Sequence, residues 1–277
     1  MTFCVALRSR AGVVALADTR IVRGPERLTK GKLAFVDGDD GATFFVMTSG
    51  LRSVRDKLLI YAEEALAARR EAGRTPSRLY EVANLFGSEL RRVRAEDAEA
   101  LGRSGLAFNA HLILGGRLPG DPAPTLFYLY PEGNWIEVAD DSPWFMIGRT
   151  HYGRPILDRL MHAEASTELM LALAVLAHDA TAASVTDVGP PVDVLSLPAA
   201  GAAAEHRFER PELERVSRWW HESLADAIRR MPMAWAAPLL GTDAPPAPLS
   251  PAPAAAPDAP PGRAPADPDP DPDETPP

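Results

Sequence analysis

Thr2 stands directly behind the initiator methionine. Removal of Met1, usual ahead of a small residue, would leave a free α-amine two carbons from the Thr2 hydroxyl. A threonine hydroxyl attacks carbonyls poorly unless a base takes its proton, and an N-terminal amine can be that base. Its ordinary pKa of about 7.7–8.0 leaves a useful neutral fraction near pH 7. A neighbouring cation would favour the alkoxide, and either Lys30 or Lys32 could supply it. An aspartate would hold that lysine and offset its charge. Asp18 closes the second of two apolar runs, TFCVALR and GVVALA. With a turn centred near Arg10, residues whose numbers sum to 20 oppose one another, so Thr2 is expected to face Asp18 across an antiparallel pair.

These residues need a scaffold. TFCVALR, GVVALA, KLAFV and TFFVMTS read as strands. They are almost continuously apolar, which predicts a sheet covered on both faces. Two helices follow. Val54, Leu58, Ala62 and Leu66 stripe the first; Leu79, Val82, Ala83, Phe86, Leu90 and Val93 stripe the second, with Thr75 and Pro76 as its start signal. FNAHLILGG, TLFYLY, NWIEVA and PWFMIG are further strands. Helices over about 152–162 and 166–183 come next, then PVDVLSL and AEHRFE. The uncharged LMLALAVLA segment predicts a helix buried between layers or at a subunit contact. A last amphipathic helix carries Leu213, Val216, Trp220, Leu224, Ala227 and Met231, with Trp220 on the core side and Trp219 partly exposed. Helices arrive in blocks, which excludes a doubly wound sheet. An α+β fold in four layers, an α/β/β/α sandwich of two mainly antiparallel sheets, satisfies every apolar face.

Composition bounds the rest. Half of the 28 prolines fall within residues 242–277, together with seven acidic residues and one basic residue. Such a segment cannot bury enough apolar surface to offset its ordering entropy. The expected organisation is therefore one folded domain over residues 1–241 and a disordered acidic tail over 242–277. The net charge of −9 argues against tracking nucleic-acid phosphates. The chain has one cysteine, Cys4, which precludes an intramolecular disulfide. Cys4 lies on an apolar strand and reads as core rather than nucleophile. Six histidines show no zinc spacing, and GPERLTKGK fails the spacing of a phosphate-binding loop, so no metal, cofactor or ATP site is expected. No run reaches membrane-span length, and a cytoplasmic protein is expected.

The opening MTFCVALRSRAGVVALADTR, the Lys32-Leu33 pair and the Thr48-Ser49-Gly50 strand end resemble the N-terminal-nucleophile (Ntn) hydrolases, specifically proteasome β-subunits. Within that superfamily the closest resemblance is to Anbu, the bacterial ancestral-β-subunit group. TSGLRSVRDKL, the IG-x-x-x-YG-x-PILDR run around Ile147–Arg159 and HDATAASVTDVGPPVDVL carry it, over roughly residues 1–197. The resemblance implies roles. Thr2 would be the nucleophile, with its own amine as general base. Lys32, favoured over Lys30, would lower the hydroxyl pKa, and Asp18 would orient Lys32. The Gly50 N–H would stabilise the oxyanion. It also implies a homo-oligomer, a ring or helical array, acting on peptides or unfolded polypeptides, with any ATPase unfoldase on a separate chain.

Two positions depart from the proteasome pattern. Arg149 stands where a serine is usual, and Val185 where an acidic residue is usual, with Asp187 two residues on. Three functions follow. One is a threonine-type peptidase. Another is an assembly subunit that has lost activity, favoured by those two departures. A third is an Ntn amidase of small amides. Retention of Thr2, Asp18 and Lys32 together argues against a purely structural subunit.

Overall fold

The computed structural model describes residues 2–23, 26–29, 31–38 and 41–240. Lys30 and the acidic tail lie outside the described residues. The chain divides into two units, one through Trp220 and one from His221.

The first unit opens with strands β1 (Phe3–Ser9) and β2 (Gly12–Asp18). A two-strand ribbon follows, β3 (Arg20–Arg23) paired with β4 (Glu26–Thr29). Strands β5 (Leu33–Asp37) and β6 (Thr43–Gly50) lead into helices α1 (Arg52–Glu71) and α2 (Leu79–Arg103). Strands β7 (Ala110–Arg117), β8 (Thr125–Leu129), β9 (Trp135–Glu137) and β10 (Trp144–Gly148) come next. Helices α3 (Arg154–Leu160) and α4 (Thr167–Ser184) precede β11 (Val192–Pro198) and β12 (Ala204–Phe208). Helix α5 (Arg210–Arg229) runs into the second unit, which also holds a 3-10 turn (Ala234–Ala236) and α6 (Ala237–Leu240).

Two five-stranded sheets result, ordered β10-β1-β2-β11-β12 and β5-β6-β7-β8-β9, every pair antiparallel. Side-chain alternation along single strands builds three cores. Phe3, Val5 and Leu7 pack with Leu157, Leu173 and Ala177 of α3 and α4. Cys4 and Ala6 turn the other way, toward Phe45, Met47 and Ile113 of the second sheet. Phe44 and Val46 then face Leu58, Leu79 and Phe86 of α1 and α2. This is the four-layer α/β/β/α sandwich. Each fully buried large apolar side chain contributes about 1.5–3 kcal/mol, so the continuous apolar runs are the strands that face two cores at once.

Three local readings are corrected. Helix α2 begins at Leu79, not beside Pro76, because the Glu81 carboxylate accepts from the N–H groups of Ser77 (2.7 Å) and Arg78 (3.1 Å) and closes the first turn there. The β1–β2 loop has two residues, Arg10 and Ala11, so opposed numbers sum to 21: Cys4 faces Ala17 and Ser9 faces Gly12. Thr2 is therefore not opposite Asp18, which sits one position further along, level with Phe3. Lastly, the α5 stripe is not core: only Leu213 is buried, while Trp219 is 57% exposed and Trp220 half-buried.

Candidate active site

The β1–β2 hairpin presents Asp18 at the end of β2, where its side chain is fully buried. Asp18 Oδ1 accepts from the Phe3 N–H at 2.7 Å and from Lys32 Nζ at 2.7 Å. Lys32 precedes β5 and is 6% exposed. Its Nζ also donates to the Arg20 carbonyl at 2.8 Å. A buried ion pair persists when its remaining hydrogen-bonding capacity is met, and the Phe3 N–H and Arg20 carbonyl meet much of it. Asp18 Oδ2 is buried with no hydrogen-bond partner among the described residues. Burial raises the Asp18 carboxyl above the usual carboxylate range, and Lys32 pulls it back down.

Thr2 is held through its backbone. Its carbonyl accepts from the Arg149 N–H at 2.8 Å. Gly148 lies directly against that carbonyl at φ +89°, and a Cβ there would collide with it. Only glycine meets both demands, a positive φ and a backbone in van der Waals contact. Gly50 ends β6 at φ +123°, packed on the Asn109 carbonyl, two residues before α1. The N–H of Thr48 donates to the Lys32 carbonyl at 3.3 Å, which ties β6 to the lysine. Lys32 and Thr48 share a small cavity of about 130 Å³, with Arg55 and Asp56 also in its wall.

The structure thus brings Asp18 and Lys32 into direct contact and joins Asp18 to the residue after Thr2. Gly50 meets that group only through β6. Cys4 is buried in the inter-sheet core, where burial pushes its thiol up. Arg149, at one departing position, meets Asp187, two residues beyond the other: Arg149 Nε and Nη2 donate to Asp187 Oδ2 at 3.3 and 3.1 Å. Val185 caps the C-terminus of α4 and packs with the α3–α4 core. Sequence reasoning did not find Phe3, Arg20 or Gly148 as members of the site. Arg20 and Phe3 act here through backbone atoms, which leave no side-chain signature.

No protein-family model and no curated protein matches the chain. Solved structures do. Anbu from Yersinia bercovieri shares 28% identity, with a TM-score of 0.73, over 83% of this chain and 98% of that one. An Anbu (Gly-1) mutant from Hyphomicrobium sp. strain MC1 gives 29% identity, a TM-score of 0.73, and coverage of 82% and 97%. A helical assembly of the Anbu complex from Pseudomonas aeruginosa gives 27%, 0.74, and coverage of 83% and 97%.

Over most of its length the chain is thus similar in fold and sequence to Anbu, the ancestral β-subunit. The likeness covers 82–83% of this chain. Among the described residues, no helix is long and apolar enough to cross a membrane.

Proposed function

We propose that the chain is a threonine-type amide hydrolase whose nucleophile is Thr2 after removal of Met1. The observation that carries this reading is the buried Lys32–Asp18 pair, 2.7 Å apart and linked through the Phe3 N–H to the residue that follows Thr2. A buried charge pair costs desolvation energy and is weak evidence of stability. Beside a terminal threonine it has a chemical use.

The free Thr2 amine takes the Oγ1 proton, and Oγ1 attacks the carbonyl carbon. The Lys32 ammonium stabilises the developing alkoxide, and Asp18 fixes Lys32. The Gly50 N–H donates to the tetrahedral oxyanion. The amine returns its proton to the leaving nitrogen, the C–N bond breaks, and an ester to Thr2 forms. Water, deprotonated by the same amine, attacks that ester and releases the acid.

The substrates are peptides or unfolded polypeptides, and the working form is a homo-oligomer, a reading supported by the helical assembly of the Pseudomonas aeruginosa relative. Unfolding of folded substrates falls to a separate ATPase. The domain ends near residue 241 and the acidic tail lies outside the chemistry.

One observation favours a second reading, an assembly subunit of weak activity. The Arg149–Asp187 ion pair fills the region where the proteasome pattern has hydroxyl and acidic groups. Intact-mass analysis with an electrophile that traps N-terminal threonine decides between them. The hydrolase reading expects loss of Met1 and one adduct, abolished by Thr2→Ala. A clean Thr2 terminus that forms no adduct selects the assembly subunit.

A further inference from the structure

A cavity of about 320 Å³ opens between α4, the first turns of α5 and the segment before β11. That size is at the small end of ligand sites. Two guanidinium groups, Arg20 and Arg210, and two carboxylates, Asp179 and Glu214, line it. His178 lines it as well. The His178 ring is 3% exposed, and its Nε2 is buried without a hydrogen-bond partner among the described residues. A buried polar nitrogen left unpaired is unfavourable. Burial, with the charges of Arg20 and Lys32, pushes His178 down to about 4. The ring is therefore neutral at pH 7, one nitrogen a donor and the other an acceptor.

The wall selects the charge of the occupant. A simple anion would meet two carboxylates, and a simple cation would meet two guanidiniums. A molecule with one charge of each sign satisfies both. The Arg210–Glu214 pair does not close the site, since both side chains are more than half exposed and 3.5 Å apart, an arrangement worth little in water.

Two lining residues, Arg20 and His178, link the cavity to the Lys32–Asp18 pair. The Arg20 carbonyl accepts from Lys32 Nζ at 2.8 Å, while its guanidinium donates to the Thr186 and Val188 carbonyls, both at 3.0 Å, and lies on Gly189. His178 meets Phe3 edge to face with ring centroids 5.6 Å apart, and the Phe3 N–H donates to Asp18.

We propose that this cavity binds a small zwitterion, a dipeptide of the kind amide hydrolysis releases, and that its occupancy changes the reactivity of Thr2 through Arg20 and Phe3. The carboxylate lies at Arg20 and Arg210 and the ammonium at Asp179 and Glu214. The choice of a hydrolysis product rests on the amide-hydrolase reading; the requirement for both charges does not.

Calorimetric titration of the full chain with Ala-Ala, N-acetyl-Ala-Ala and Ala-Ala-amide tests the site. Ala-Ala should bind once per chain, and each capped form about tenfold more weakly or worse, the cost of one charge-assisted contact. Arg210→Ala and Ala182→Phe, which fills the cavity, should each weaken Ala-Ala by about tenfold or more. Thr2→Ala should bind as the unchanged protein does. Absence of binding, equal affinity for the capped forms, or indifference to both cavity variants overturns the site. Saturating Ala-Ala should also alter the rate of electrophile addition to Thr2, and not in Ala182→Phe; an unchanged rate overturns the coupling. If Thr2 never adds the electrophile, the hydrolase reading fails, and the titrations still decide the cavity.

Discussion

Replacing Lys32 by methionine keeps the length of the side chain and removes its charge. Asp18, fully buried, would then retain the Phe3 N–H as its donor, with Oδ2 still unpartnered among the described residues. Breaking a buried pair in this way costs about 3–5 kcal/mol. That is a large share of a total stability of about 5–15 kcal/mol. Asp18→Asn in the Lys32→Met background removes the stranded charge and should restore about 2–3 kcal/mol of the loss, so the two changes are not additive. The pH dependence has a definite sign. Burial already raises the Asp18 carboxyl, with Lys32 opposing. Without Lys32 it rises further above its unfolded value of about 3.9. A carboxyl raised in the folded state binds more protons there than when unfolded, so the variant loses stability as pH rises through the folded pKa and regains it on acidification. Urea unfolding at pH 7.5 and pH 4.5, read by circular dichroism, should show the deficit relative to the unchanged protein shrinking at the lower pH. A deficit below about 1 kcal/mol, an additive double variant or a deficit indifferent to pH would refute the buried-pair argument.

Other changes are as accessible. Gly148→Ala forces a Cβ onto the Thr2 carbonyl at a positive φ; it should cost about 1–3 kcal/mol and abolish adduct formation at Thr2 while circular dichroism stays native. His178 carries a second pH signature. Held near 4 when folded and near 6.5 when unfolded, it should make the protein progressively less stable from pH 6.5 down to 4, by about 3 kcal/mol in all, and His178→Gln should flatten that slope in denaturant titrations. Arg149→Ala breaks an ion pair whose arginine side chain is 39% exposed. It should change unfolding free energy by less than about 1 kcal/mol, and a larger change would show that the pair braces the Thr2 carbonyl.

Apolar runs without alternation marked the strands because β1, β2 and β6 each face two cores, and blocked helices excluded the parallel alternative. Asp18 and Lys32 were legible because each is a charge at the end of an apolar segment, where only a specific partner tolerates it. The exact pairing was not legible. A two-residue loop and a one- or three-residue loop look alike in RSRAG, and they differ by one position in every opposed pair. The ribbon of β3 and β4 lies in a polar stretch that carries little hydrophobic signal. The α5 stripe misled for the opposite reason: Val216, Leu224 and Met231 have the spacing of a core face and are exposed. Amphipathic spacing specifies a face to be covered and leaves open what covers it.

The place of β1 in its sheet also constrains how the protein comes off the ribosome. It lies between β2 and β10, and β2 lies between β1 and β11. The two strands of this sheet that are synthesised earliest are thus its inner ones, with partners near Trp144 and Val192. At roughly 5–20 residues per second, about 9–35 seconds separate the emergence of Asp18 from that of its neighbour Val192 in β11. During that interval a hairpin apolar on both faces has two open edges, the arrangement most prone to pairing with another nascent chain. Slowing translation after residue 18 should therefore raise aggregation, whereas slowing it after residue 198 should not.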